Sequence, residues 1–211
     1  MRKEVLLENI STLLMVGHET SASTVIFTLF QLAQNPKIQA KLRQEIRHAG
    51  TLTHDTILSL EYLDAVASSV PAVSPDGACF PAGRRYSIGK ADSDSRWKVY
   101  KSLPVKAGQV FHVSFAAMNV NPEVWGTDAH EFKPERWLTP DAMPSDLPHG
   151  PWANVASFCD GARSCIGWRL AVLELKTMIG CLVRDFDFAD SGPTRIERLW
   201  SLPYGYNPIS V

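Results

Sequence analysis

The sequence predicts a mainly α-helical protein with a small β portion. Three observations carry this. Apolar residues return at helical spacing through 3–34 and 36–46, a second apolar periodic run fills 166–184, and strand-like patterning is confined to 97–113.

Each element follows from its residues. Between Lys3 and Gln34 the apolar residues Leu6, Ile10, Leu13, Leu14, Val25, Leu29 and Leu32 keep helical spacing, and Asn35-Pro36 supplies the stop. Pro36 is suited to open the next helix, because its fixed φ and missing N–H cost nothing in a first turn; Ile38, Leu42 and Ile46 then share one face. Leu60 to Ser68 begins a third helix and breaks off, so 36–68 reads as helical. Residues 69–96, "SVPAVSPDGACFPAGRRYSIGKADSDSR", carry three prolines and three glycines and show neither period, which predicts a loop. Trp97–Val105 and Gln109–Val113 read as strands joined by a turn at Lys106-Ala107-Gly108. Proline-rich chain fills 122–151. The last helix runs from Ile166 to Arg184, and Leu170, Leu173, Leu175, Met178, Ile179 and Leu182 make most of its surface apolar, so it is expected to be buried.

Composition narrows the function. With 211 residues, 45% hydrophobic and 20% charged, the chain can build a core. Its 21 basic and 22 acidic side chains give a net charge of −1, which offers no basic surface for nucleic acid. Apolar runs such as Leu13-Leu14-Met15-Val16 are short for a bilayer, and residues 1–10 lack a signal peptide's apolar stretch, so a soluble chain with no membrane segment is expected. Cysteines stand at 79, 159, 165 and 181 without a CxxC pair or an even ladder, against a disulfide framework or a common zinc finger.

One short stretch concentrates chemistry: "SFCDGARSCIG", residues 157–167. A cysteine at a helix start is most often a small buried residue. Here the glycines permit a tight turn, and Cys165 meets both its backbone N–H groups and the positive end of the following helix, a setting that favours a thiolate. Cys159 precedes the turn, where nothing favours ionisation. Arg163 is placed to meet an anionic group by a charge-assisted hydrogen bond. Gly161 keeps the turn thin, and Phe158 can cover the sulfur and exclude water.

Phe158, Gly161, Arg163, Cys165 and Gly167 complete the spacing F-x-x-G-x-R-x-C-x-G. That pattern resembles the haem-binding loop of the cytochrome P-450 family, the haem-thiolate monooxygenases. Two further stretches resemble the family in the same order. "VGHETSAS", residues 16–23, is similar to the oxygen-activating part of its long central helix, with Gly17, Glu19, Thr20 and Ser21 on the pattern and Val16 in place of the usual small residue. A mid-helix glycine costs about 1 kcal/mol against alanine, and Thr20 competes for backbone carbonyls, so a local opening of the helix that holds a water is expected there. The resemblance implies that Glu19 relays protons and Thr20 meets the oxygen being activated. "FKPERW", residues 132–137, is similar to the meander signature, whose arginine, here Arg136, joins a triad with the Glu and Arg of an E-x-x-R helix.

The departure from the pattern lies just after "LEYLDAV", residues 60–66: the positions for that Glu and Arg hold Ser69 and Ala72. Arg136 is therefore expected to lose both partners, leaving a charge meant for burial at a cost on the order of several kcal/mol. Codons for Pro71 to Cys79 read one base later permit "LRFHPTVH", which the family places here, so 69–90 reads as a reading-frame or intron-boundary artefact that sequencing the transcript would decide.

The resemblance covers 3–66 and about 103–190, the C-terminal half of the family fold: central helix 3–34, helices 36–68, divergent loop 69–96, strand region 97–113, meander 122–151, cysteine loop 157–167 and final helix 166–184. It implies an N-terminally truncated monooxygenase that inserts one atom of O2 into a small organic substrate. Cys165 is the metal ligand of haem b, Phe158, Gly161, Arg163 and Gly167 its other contacts, and NADPH the electron source through a partner reductase. Location stays open for this chain; the endoplasmic reticulum membrane is implied for a full-length eukaryotic relative. The alternative is a catalytically silent fragment that binds haem weakly or acts through protein contacts. A zinc site built on Cys159, Cys165 and a histidine would need four convergent ligands, which the spacing does not supply.

Overall fold

The computed structural model describes residues 3–73, 89–91, 97–99, 115–139, 150–190, 192, 196–197 and 209–210. The chain divides into a larger unit, residues 1–77 and 115–211, and a smaller one, residues 78–114.

Helix α1 (Lys3–Gln34) is unbroken over 32 residues. Its apolar side chains are spread around the circumference, so one packing face cannot cover them all. The C-terminal part is covered: Val25, Phe27, Thr28 and Leu32 are buried, whereas Leu7, Leu14 and Met15 are 54%, 68% and 75% exposed. By length and composition alone α1 could also cross a membrane, which revises the expectation of no such segment. A core helix of a soluble protein passes the same test, and α1 is anchored in the core by its last turns.

Helix α2 (Pro36–Ala49) starts on Pro36 and ends at Gly50, whose φ of 73° lies in the left-handed region that glycine tolerates. Thr53 caps α3 (His54–Ser59) by accepting from the Thr56 amide at 3.2 Å. Helix α4 (Glu61–Val73) is capped from outside its own segment: the amides of Tyr62 and Leu63 donate to the Glu45 carboxylate at 2.7 and 2.9 Å, satisfying N–H groups that a helix start leaves unpaired. Helix α7 (Trp168–Asp185) closes the bundle.

Leu32 of α1, Leu42 and Ile46 of α2, Leu63, Val66 and Val70 of α4, and Ile179 and Val183 of α7 form the centre of the core, all essentially without exposure. Burying each such side chain contributes about 1.5–3 kcal/mol. Two buried polar residues fasten the layers. Gln39 donates to the carbonyls of Leu32 and Phe188 and accepts from the Phe188 amide, and Lys176 reaches the Asp64 carboxylate at 3.0 Å. Both satisfy their polar groups inside the protein, as burial requires.

The described chain is mainly helical, as the periodicity predicts. Boundaries differ in three places. Helix α4 continues through Val73, past the expected end at 68, because Ser69 and Val70 are buried against the core and Ser69 returns its hydroxyl to the Ala65 carbonyl at 2.9 Å. Helix α7 begins at Trp168 and ends at Asp185, rather than spanning 166–184, with Gly167 at its cap and Ile166 94% exposed ahead of it. In the smaller unit, β1 (Gly89–Ala91), inside the segment read as loop, pairs antiparallel with β2 (Trp97–Val99), Gly89 opposite Val99. A three-residue strand beginning on glycine shows no alternation to read. The remainder of the predicted strands, at 100–105 and 109–113, and their turn at 106–108 lie outside the described residues. In the larger unit β3 (Ile196–Glu197) pairs antiparallel with β4 (Ile209–Ser210).

Candidate functional site

The cysteine loop rests on the chain between α4 and α7. Helix α5 (Phe115–Asn119) leads to α6 (Pro122–Trp125), capped by Asn121 accepting from the Glu123 amide at 3.1 Å, and then to a 3-10 turn, Pro134–Leu138. Trp125, Ala129 and Val155 form a second small core with Trp137, whose ring centroid lies 5.8 Å from that of Trp125. The turn is tied to the helices by Glu135, which accepts from Lys41 at 2.9 Å and from the Tyr62 hydroxyl at 3.0 Å. Burial, with Glu135 accepting its hydrogen bond, pushes the Tyr62 phenol well above its usual range. Burial also disfavours ionised Glu135, yet the Lys41 ammonium, a backbone hydrogen bond and the Tyr62 hydroxyl together outweigh it and hold that carboxyl below the ordinary value.

Arg136 is not left uncompensated, contrary to the expectation drawn from Ser69 and Ala72. Its guanidinium donates to the Trp125 carbonyl at 2.8 Å and to the Asp128 carbonyl and carboxylate at 3.0 and 2.9 Å, and it lies over the Trp125 ring. Lys133 pairs with the other Asp128 oxygen. These two cations, Lys133 first, pull the Asp128 carboxyl down to about 2. A loop carboxylate eight residues upstream thus supplies the countercharge.

The cysteine loop itself is shaped by backbone strain and close approach. Ala153, Asn154 and Cys159 all have positive φ, 54°, 53° and 58°. A Cβ on Gly150 would sit 2.1 Å from the Val155 carbonyl oxygen, so only glycine fits there without a backbone shift. A 3-10 turn, Ala156–Phe158, presents Phe158 edge-on to Trp152 at 5.9 Å. Asp160 caps a second such turn, Gly161–Arg163, by accepting from the Gly161 amide at 2.6 Å, and Gly161 takes a φ of 68°. The chain then returns, and the Cys165 amide donates to the Phe158 carbonyl at 2.8 Å. Of the residues singled out by sequence, Phe158, Gly161, Cys165 and Gly167 thus share one loop. The Arg163 backbone belongs to it; its side chain lies outside the described residues.

Cys165 stands two residues ahead of the Gly167 cap, so it does not occupy the helix start expected for it. Its amide is satisfied by Phe158, not by helix geometry. Cys159 is half-buried, and burial, with Cys165 beside it, pushes its thiol up. That agrees with the view that nothing there favours ionisation.

The stretch 16–23 lies in the middle of α1. The helix does not open: it is continuous through Gly17, and the Thr20 hydroxyl donates to the Val16 carbonyl at 2.8 Å. The expected competition for a backbone carbonyl occurs without breaking the ladder, since the hydroxyl adds a second bond to a carbonyl already in use. Glu19 and Thr20 are exposed. Ser21 is joined to the helix that follows the cysteine loop, its hydroxyl donating to Glu174 of α7 at 3.0 Å. Sequence reasoning missed Asn119, Asp128, Glu135, Gly150 and Glu174. Only Gly150 carried a signal, as a glycine flanked by Pro151.

Fold and loop together define a helical bundle that offers two half-buried thiols, Cys159 and Cys165, on one glycine-containing loop. Comparison with known proteins supplies the class. The Cytochrome P450 family profile matches residues 1–68 and 98–205. The chain belongs to the cytochrome P450 family. It is 33% identical over 201 residues to cytochrome P450 monooxygenase 128 of Postia placenta, covering 90% of this chain and 36% of that one. It is 35% identical over 193 residues to cytochrome P450 monooxygenase 205 of the same fungus, covering 88% and 35%. To cytochrome P450 monooxygenase claO of Ampulloclitocybe clavipes it is 30% identical over 208 residues, covering 92% and 38%. The chain therefore spans little more than a third of the length of these relatives. The profile match is interrupted over 69–97, the interval that departs from the family pattern.

The family implies haem, and the loop can be tested against it. A Cβ on Gly161 would meet nothing within 4 Å, and one on Gly167 would only touch the Cys165 sulfur at 3.9 Å, while the Cys165 side chain is itself partly exposed. No trio of His, Cys, Asp or Glu able to hold a bare metal ion occurs among the described residues. A single soft thiol suits a group that brings its other iron ligands with it. The residues fit.

Proposed function

We propose that this chain is the haem-binding part of a P450 monooxygenase, with Cys165 as the residue that would hold the iron of haem b. The observation that carries the reading is the loop 158–167, in which the Cys165 amide donates to the Phe158 carbonyl at 2.8 Å, joining the first residue of the pattern to the half-buried cysteine. When bound, haem supplies the activation of O2 by which one oxygen atom enters a small organic substrate, with electrons from NADPH through a partner reductase. The chain's own residues have separate tasks. Cys165 would hold the iron through its sulfur. Phe158, held edge-on by Trp152, keeps water from the sulfur. Arg163 would pair with a carboxylate of the bound group, and Gly161 and Gly167, lacking side chains, would let it approach the loop. Glu19 and Thr20, adjacent and exposed on α1, are the residues to which this reading gives proton delivery and oxygen activation, the Thr20 hydroxyl already donating to the Val16 carbonyl.

The test is the absorption spectrum of the reduced, carbon-monoxide-treated protein reconstituted with haem, in which thiolate ligation moves the Soret band far to the red of histidine ligation. Cys165→Ala should abolish that band while Cys159→Ala and Cys181→Ala keep it. Equal loss from Cys159→Ala would reverse the ligand assignment. A second reading, a catalytically silent fragment, is favoured by one observation: the first half of α1 leaves Leu7, Leu14 and Met15 mostly exposed, not covered by any of the described residues. Haem binding without substrate turnover in the presence of a reductase would select it.

A further inference from the structure

The cysteine loop is fastened from beneath by a residue the family pattern around Cys165 does not include. Asn119, the last residue of α5, is 1% exposed. Its Oδ1 accepts from the Ala156 amide at 2.8 Å, and its Nδ2 donates to the Ser157 hydroxyl at 2.9 Å. Ala156 and Ser157 are the first two residues of the 3-10 turn whose third, Phe158, gives its carbonyl to the Cys165 amide at 2.8 Å. One buried amide therefore grips the turn at its start, and the same turn holds the cysteine at its end. The two grips differ in kind: Ala156 can only donate, whereas the Ser157 hydroxyl can donate or accept. An asparagine, with an acceptor and a donor on one planar group, matches both.

We propose that Asn119 is a positioning residue that sets where the Cys165 sulfur stands, acting through the Ala156–Phe158 turn. The proposal rests on the reading of Cys165 as the iron ligand for its functional consequence, but its geometric core can be measured without haem. Asn119→Leu keeps the volume and removes both bonds. Asn119→Asp restores them: burial favours the neutral carboxyl, which accepts from Ala156 and donates to Ser157 as the amide does.

Amide hydrogen exchange on the 211-residue chain reads the first link. Asn119→Leu should speed exchange of the Ala156 and Cys165 amides about tenfold, the scale of a lost buried hydrogen bond, while the core amides of α2, α4 and α7 keep their protection. Asn119→Asp should return both amides to near the parent rate. After haem reconstitution, the reduced carbon monoxide spectrum of Asn119→Leu should show a smaller share of the thiolate band, restored in Asn119→Asp. Parent-like exchange at Cys165 in Asn119→Leu, with the core intact, overturns the proposal, as does equal loss in Asn119→Leu and Asn119→Asp. Should Asn119→Leu lose protection everywhere, Ser157→Ala removes only the Nδ2 partner; about threefold faster exchange at both amides supports the proposal, and an unchanged rate overturns it. A parent protein that takes up haem without a thiolate band refutes the ligand reading, and the exchange rates still decide the role of Asn119.

Discussion

Arg136 shows what a motif residue does when its usual partners are absent. The pattern that singles it out says nothing of Asp128, because the two are brought together by the loop after α6, which no periodicity encodes. Yet the chemistry requires a partner, since a guanidinium only 15% exposed is costly unless paired. The consequence is a pH dependence with a definite sign. The Asp128 carboxyl is held at about 2 against an ordinary 3.8, so its contribution to stability is complete above the ordinary value and is lost as pH falls through the lower one. Asp128→Asn should therefore be less stable than the parent near neutrality, and the gap in urea midpoint should close as the pH is lowered between those two values. A gap that stays constant with pH would show that the charge is not its source. Gly150 is the second residue whose role is steric and local. Gly150→Ala places a methyl against the Val155 carbonyl, and relief by backbone movement should cost about 1–3 kcal/mol. Because Val155 leads directly into the Ala156–Phe158 turn, haem bound per chain should fall with the urea midpoint, whereas Gly50→Ala, strained at a φ of 73° at the end of α2, should lower only the midpoint.

At the scale of the element, legibility follows how much of a helix is decided by its own residues. Helix α2 has a proline at its start, one apolar stripe and a glycine at its end, and its limits could be read directly. Helix α4 could not, because its cap is Glu45 from another helix and Ser69 and Val70 are held by burial, so composition pointed to loop where packing prevails. The cysteine loop stood out in the sequence by its spacing, F-x-x-G-x-R-x-C-x-G. Its supports did not, because Asn119 contacts it across a separation of more than thirty-five residues. Helix α1 is the element in which expectation and structure differ most in kind. Gly17 leaves room for a Cβ, with nothing within 4 Å, and lies in regular helix. Gly17→Ala should therefore stabilise α1 by up to about 1 kcal/mol through helix propensity alone, seen as a raised thermal midpoint with unchanged helix content. A lowered midpoint would mean that glycine is needed for a local distortion at 16–20.

The whole molecule is governed by an asymmetry in α1. The last ten or so residues of the helix complete the core with α2, α4 and α7, whereas Leu6, Leu7, Ile10, Leu13, Leu14, Met15 and Val16 project from the rest of it, each at least 43% exposed. A contiguous apolar surface of this kind, on a protein with a net charge of −1, has little electrostatic repulsion to keep copies apart. The 211-residue chain should therefore self-associate at micromolar concentration, and the association should run through α1. Leu14→Lys with Met15→Glu places opposite charges on the two most exposed apolar side chains of that half, leaving net charge and core unchanged. Sedimentation velocity should then show a larger monomer fraction than in the parent, with the same helix content by circular dichroism. Partition into neutral lipid vesicles separates two origins of the effect. If the surface is simply uncovered apolar helix, the parent should bind vesicles weakly and the double variant less, both with the protection of Leu32, Ile46 and Ile179 amides retained. Insertion of α1 across the bilayer would instead have to pull Val25, Phe27 and Leu32 out of the core, so vesicle binding that abolishes that protection would overturn the reading of α1 as a core helix.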